Sequence, residues 1–219
     1  MCYSVMVKQD LKYLGERFGA RVHEKEFEWF KSQQLADPKH FKYESRIYPG
    51  YWAPVILRDG SSNILVPLRY RVRPAGSAEE LPSRYNVFNA RIDSLYSRST
   101  WKTLIGRRHG VLIAEKFYEW ITDPMTNKKK VVAFSPTKSS EIYIPVLWDY
   151  WTDGKTHIGS FALITDDPPT EVVAAGHDRC PIDLSEDGIE AWLSLAQDPL
   201  HSLKLRRPEF FNVEDAEIA

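Results

Sequence analysis

VLIAEKFYEWI (111–121), KVVAFSP (130–136), EIYIPVLWDYW (141–151) and HIGSFALIT (157–165) follow one another with little between them but turn residues. Each run is rich in β-branched and aromatic residues and is of strand length, so the stretch predicts four successive strands. Asp153-Gly154 marks a hairpin between the last two. Working outward toward the start of the chain, RIYPGYWAPVILRDG (46–60) and NILVPLRYRVRP (63–74) are short apolar stretches that meet at a second hairpin signal, Asp59-Gly60.

Helices lie around this core of strands. Leu11, Leu14, Phe18, Val22, Phe27 and Phe30 fall near helical spacing, so residues 9–34 predict one or two amphipathic helices, with Gly19 as the break. Residues 77–98 carry few periodic apolar side chains and read as a long loop, of a length that is usually either functional or disordered. Ser99 reads as the N-cap of a helix over STWKTLIGRRHG (99–110), and Ser185, followed by Glu186 and Asp187, as the start of a last helix through Trp192 and Leu195. Strands outnumber helices and do not alternate with them. The expected class is α+β: a mainly antiparallel sheet or open barrel flanked by helices. A single domain over 1–219 is expected, with 9–45 as a helical insertion and 196–219 as a C-terminal extension.

The composition is 43% hydrophobic and 27% charged, as in an ordinary globular protein, and 219 residues suffice for a sizeable core. A net charge of −1 excludes a global basic field and leaves only a local basic groove for nucleic acid. There is no signal-peptide pattern and no apolar run of membrane-spanning length. Two cysteines without Cys-x-x-Cys spacing argue against a disulfide scaffold or structural zinc, and point to a reducing cytoplasm. No metal and no cofactor is expected.

Four short stretches could carry chemistry. Removal of Met1 would leave Cys2 with a free amine and a thiol on one residue. Near neutral pH both are usable nucleophiles, and together they could close an aldehyde into a five-membered thiazolidine ring. Phe117-Tyr118-Glu119-Trp120 sets a carboxylate among aromatics; it is either an exposed strand residue or a partly desolvated proton donor and acceptor. Gly176-His177-Asp178-Arg179-Cys180-Pro181 holds a histidine on a constrained loop, either surface decoration or an aimed imidazole. Phe88-Asn89-Ala90-Arg91 lies in the long loop, where the asparagine could simply close a turn and the arginine face water or grip a phosphate.

Taken in this order, the four stretches resemble the SOS-response-associated peptidase family, whose members process abasic sites in DNA. The resemblance spans about residues 2–195 and includes Tyr48-Pro49 to Ala53-Pro54 and Val66-Pro67-Leu68-Arg69. It implies a protein of the DNA-damage response that crosslinks covalently to abasic sites in single-stranded DNA. Cys2 would be the nucleophile, Asn89 would position the chain end or the opened sugar, and Glu119 would shuttle protons. His177 would assist opening of the deoxyribose. Arg69, Arg91, Thr165 and Arg179 would contact backbone phosphates. It also implies a lyase-like activity with peptidase-like processing of the N-terminus, a monomer, and a cytoplasmic or, in a bacterium, nucleoid-associated location. Alternatives are a cysteine peptidase using Cys2 and His177, and a non-catalytic single-strand binder.

The chain departs from the family pattern in its 9–45 segment, longer and more helical than the family's minimum, and at three motif positions. Tyr3-Ser4 follows Cys2 where Gly-Arg is common. Tyr70-Arg71 stands where Trp-Gly is frequent, so Tyr70 is expected to stack on a base and Arg71 to restore a positive charge. Cys180 replaces a methionine, and beside Cys2 it could form a disulfide on oxidation.

Overall fold

A computed structural model describes residues 3–123, 126–208 and 210–217. In chain order the elements are β1 (Ser4–Val7), α1 (Leu11–Phe18), β2 (Ala20–Val22), α2 (Glu24–Ala36), β3 (Arg46–Ile47), β4 (Trp52–Asp59), β5 (Ser62–Tyr70) and β6 (Asn89–Arg91). There follow a 3-10 turn (Ile92–Ser94), α3 (Ser99–Lys102), β7 (His109–Thr122), β8 (Lys129–Pro136), β9 (Ile142–Thr152) and β10 (His157–Asp166). The chain ends with α4 (Thr170–Ala174), β11 (Cys180–Pro181), α5 (Glu186–Ser194), α6 (Pro199–Ser202) and β12 (Phe211–Ala216).

Five strands close into a barrel. β5 pairs with β4, β4 with β7, β7 with β9 and β9 with β10, all antiparallel. β10 returns to β5 in parallel, Ser160 opposite Arg69 and Phe161 opposite Tyr70. The expected α+β class with mainly antiparallel pairing is what forms, but the barrel is closed rather than open. Its closing seam joins strands far apart in sequence, which alternation within a strand cannot reveal. Residues two apart share a face: Ala53, Val55 and Leu57, Val66, Leu68 and Tyr70, Ile144 and Val146, and Phe161 and Leu163 fill the interior. Ile56, Leu65, Val111, Ile113, Ala162 and Ile164 form the outer face, packed with Leu14 of α1 and Ile189, Trp192 and Leu193 of α5.

The remaining strands are added to this barrel. β1 lies on β7 and β3 on β1, β8 lies on β7 and β12 on β8, and β6 and β11 flank β10. The 9–45 segment breaks at Gly19, a left-handed C-cap (φ 57°), into two helices with β2 between them, which pairs with β5. Both hairpins form where expected, over Asp59-Gly60 and Asp153-Gly154.

Three other expectations change. The helix from Ser99 is only four residues long, and its N-cap is Arg98, with no side-chain cap bond. Gly106 (φ 75°) ends the helical phase by handing its N–H to His109 Nε2 at 2.9 Å. The long loop contains β6, paired in parallel with β10, so Asn89 and Arg91 sit on a strand. The 196–219 segment is no simple appendage: β12 adds a strand beside β8.

Candidate active site

Glu119 owes its direction to an irregularity in β7. Leu112 and Ala114 point into the barrel, and simple alternation would continue with residues 116 and 118. Opposite β1 the register slips: Met6 faces Lys116 but Val7 faces Ala114, so Glu115 is the extra residue of a bulge. Beyond it the inward set is Phe117 and Ile121, with Glu119 between them in phase. A bulge beside a site commonly re-aims a side chain in this way. Glu119 is 1% exposed, which removes the exposed-carboxylate reading.

His177 meets it there. The imidazole Nε2 lies 3.2 Å from Glu119 Oε2. His177 Nδ1 faces the backbone of Arg179, 3.2 Å from its N–H and 3.0 Å from its carbonyl, so the loop itself holds the ring. Burial pushes the Glu119 carboxyl well above its ordinary range, and nearby Asp178 adds to the effect. Burial pulls His177 down to about 4. Both shifts favour neutral partners, so the pair holds one proton that can sit on Oε2 or Nε2 and cross a single short contact.

The Tyr3 backbone N–H donates to the Tyr118 carbonyl at 3.1 Å and weighs slightly against the upward shift of Glu119, so the described chain begins next to this pair. Cys2 itself lies outside the described residues, as does its expected pairing with Cys180. Cys180 is buried, its Sγ 3.3 Å from the Pro181 carbonyl. Asn89 is buried on β6, and its side-chain oxygen accepts from the Tyr70 hydroxyl at 3.2 Å.

Tyr70 is corrected from its expected place. It is fully buried, stacked on Phe161 (5.3 Å between centroids) and edge-on to Phe88, so it serves the barrel interior and supports Asn89 rather than meeting a base. The exposed ring at the start of the described chain is instead Tyr3, 37% exposed, with Tyr48 and Trp120 as its edge-to-face neighbours.

The predicted phosphate contacts fall into two groups. Arg91, Thr165 and Arg179 surround one small hollow of about 90 Å³, where β6 and β11 flank β10. Arg91 is held by Asp93 and Arg179 by Asp167 at 2.9 Å, and the Thr165 side chain is buried. Arg69 and Arg71 lie elsewhere, on Glu80. Among the described residues no cluster of His, Cys, Asp and Glu could hold a metal ion, and no helix is long and apolar enough to cross a membrane.

Residues 1–215 match the family described as SOS response associated peptidase (SRAP). Among curated proteins, the chain is 29% identical to the abasic site processing protein YoaM of Bacillus subtilis, over 80% of this chain and 78% of that one. It is 26% identical to YobE of the same organism (76% and 75%). It is 25% identical to the mouse abasic site processing protein HMCES, covering 80% of this chain and 60% of the mouse protein. Solved structures share the fold: a protein from Bacteroides thetaiotaomicron (TM-score 0.76, 15% identity, 99% and 92% covered) and one from Bordetella bronchiseptica (TM-score 0.74, 16% identity, 99% and 100% covered).

Proposed function

The chain belongs to the SOS response associated peptidase family, and from that premise we propose that it acts in the DNA-damage response on abasic sites in single-stranded DNA, capturing the sugar aldehyde through Cys2 as a thiazolidine. The observation that carries this reading is the buried Glu119–His177 contact at 3.2 Å. Relatives named for abasic site processing support the substrate.

The chemistry needs protons moved more than it needs charge held. The closed hemiacetal opens when its ring oxygen is protonated and the hydroxyl proton is removed, a task for His177 with Glu119. The Cys2 amine, freed by loss of Met1, attacks the aldehyde carbon, and the resulting carbinolamine loses water as the protonated Glu119 carboxyl donates to the departing hydroxyl. The thiol then adds to the iminium carbon, whose nitrogen keeps its hydrogen, while the thiol proton returns to the Glu119 carboxylate. Aldehyde, amine and thiol become a thiazolidine and one water, and the Glu119–His177 pair ends as it began. Asn89, held by Tyr70, orients the opened sugar. Arg91 and Arg179 hold flanking phosphates after exchanging their aspartate partners, and Tyr3 and Tyr48 offer rings to a neighbouring base.

Intact mass before and after exposure to an abasic oligonucleotide tests this directly. The expected product is the protein lacking Met1, plus the oligonucleotide, minus one water, stable to heat and absent in Cys2→Ala. No adduct from a chain shown to have lost Met1 would sink the reading. Acetylating the amine separates it from a cysteine peptidase, which needs only the thiolate.

A further inference from the structure

From the end of β5 onward the chain carries an arginine at every second position, Arg69 on the strand and Arg71 and Arg73 beyond it, and all three turn toward one carboxylate. Glu80, on the segment that leads from Pro74 to β6, places Oε1 2.7 Å from Arg69 and 3.7 Å from Arg73, and Oε2 3.3 Å from Arg71. Arg71 also donates to the backbone carbonyls of Leu81 and Pro82, the latter at 3.1 Å. We propose that these three arginines form a binding site for a DNA phosphodiester, and that Glu80 rests in it as an internal stand-in which the strand displaces. The inference builds on the single-stranded DNA reading above and extends it to Arg73 and to the 74–88 segment.

Charge and hydrogen bonding both favour an exchange of anions. One carboxylate faces three guanidinium groups, and only one of its contacts is short. The cluster therefore keeps an excess of positive charge. Arg69 Nε and Arg73 Nε are buried and have no hydrogen-bond partner among the described residues. A phosphodiester offers more acceptor lone pairs than Glu80 supplies, in a geometry suited to guanidinium forks.

Exposure has the right order for a cover over a site. The three arginine side chains are 13–17% exposed and Glu80 is 37% exposed. Arg73 also lies over the Trp151 ring at 3.2 Å, which fixes its plane. The backbone points the same way: Arg71 sits at φ 126°, a conformation that favours glycine, and its side chain ties down Glu80, Leu81 and Pro82 on the segment that carries the stand-in.

Displacement would be felt at the reaction site. The same segment runs into β6, where Asn86 Oδ1 accepts from the Asn89 N–H at 3.1 Å and Asn89 accepts from Tyr70, the residue between Arg69 and Arg71. Strand binding at the arginines therefore acts on both supports of Asn89.

The test uses an undamaged, fluorescently labelled single-stranded oligonucleotide, so that binding is read apart from crosslinking. Glu80→Gln should tighten binding about tenfold. Arg73→Gln should weaken it several-fold and reduce the magnitude of the log Kd against log salt slope by about 0.7, the share of one phosphate contact. In the unaltered protein, saturating oligonucleotide should speed amide exchange over residues 78–84. Unchanged or weaker binding by a folded Glu80→Gln variant, or slower exchange over 78–84, overturns the proposal. If the protein crosslinks abasic DNA while Glu80→Gln binds no tighter, this inference alone fails. If no variant crosslinks yet Glu80→Gln tightens binding, the crosslinking chemistry fails and the phosphate site stands.

Discussion

Glu119 carries a stability cost that the proposed chemistry would put to use. Its ordinary carboxyl value is 4.5, and burial raises it in the folded state. Between those two values the folded chain binds more protons than the unfolded chain, so this group makes stability fall as pH rises through the window. Glu119→Gln keeps the shape and removes the titration. Its melting temperature at neutral pH should match or exceed that of the parent, and its share of the pH slope should vanish. The adduct should form slower by on the order of 10²-fold, the lower range for losing a general acid–base group. Melts between pH 5 and 8 with single-turnover gel assays check all three; a variant that crosslinks at the parental rate would remove Glu119 from the mechanism. The sequence identified Glu119 and His177 as candidates because both stand in constrained or aromatic company. That Glu119 points inward was hidden, because the slip at Glu115 reverses the phase that alternation assigns. Tyr70 was misjudged for a related reason: an aromatic at a strand end reads alike whether it faces a ligand or the interior.

At the level of elements, the start of β7 and helix α5 are tied through His109. Its Nε2 accepts from the Gly106 N–H, its Nδ1 lies 2.8 Å from the Trp192 carbonyl, and its ring stacks on Trp192 at 3.5 Å. Burial pulls it from 6.5 down to about 4. The unfolded chain takes up this proton near 6.5 and the folded chain only near 4, so stability falls as pH drops through that interval, by up to about 1.4 kcal/mol per pH unit for the group. Urea midpoints at pH 7, 6 and 5 should show His109→Gln to be less stable at neutral pH but flatter with acid by one histidine's share. An unchanged acid slope would contradict the assignment. The long, alternating strands and the Asp-Gly hairpins were legible because their signals are local. The helix at Ser99 stopped early because Gly106 and the demands of His109 outweighed the apolar pattern. β6 and β12 escaped notice since each is defined by a partner strand, β10 or β8, and not by its own periodicity.

On the scale of the whole molecule, β12 covers the outer edge of β8 through a ladder from Phe211–Pro136 to Ala216–Val131. A chain ending at Pro208 would lay that edge bare along Val131, Val132, Ala133 and Phe134, a template for pairing with another copy. Sedimentation and light scattering should then show concentration-dependent association, and a truncated chain that stays monodisperse with an unchanged melt would show the edge to be harmless. The parallel seam of β5 with β10 has a different reach. Tyr70 cannot find Phe161 until most of the polypeptide has been synthesised, and pairings between distant segments form late. Asn89 leans on Tyr70, and His177 comes later still in the chain. Under the proposed chemistry, a half-made protein emerging during translation would have its first residues in the open but no assembled proton relay behind them, which would keep Cys2 idle until the fold is finished.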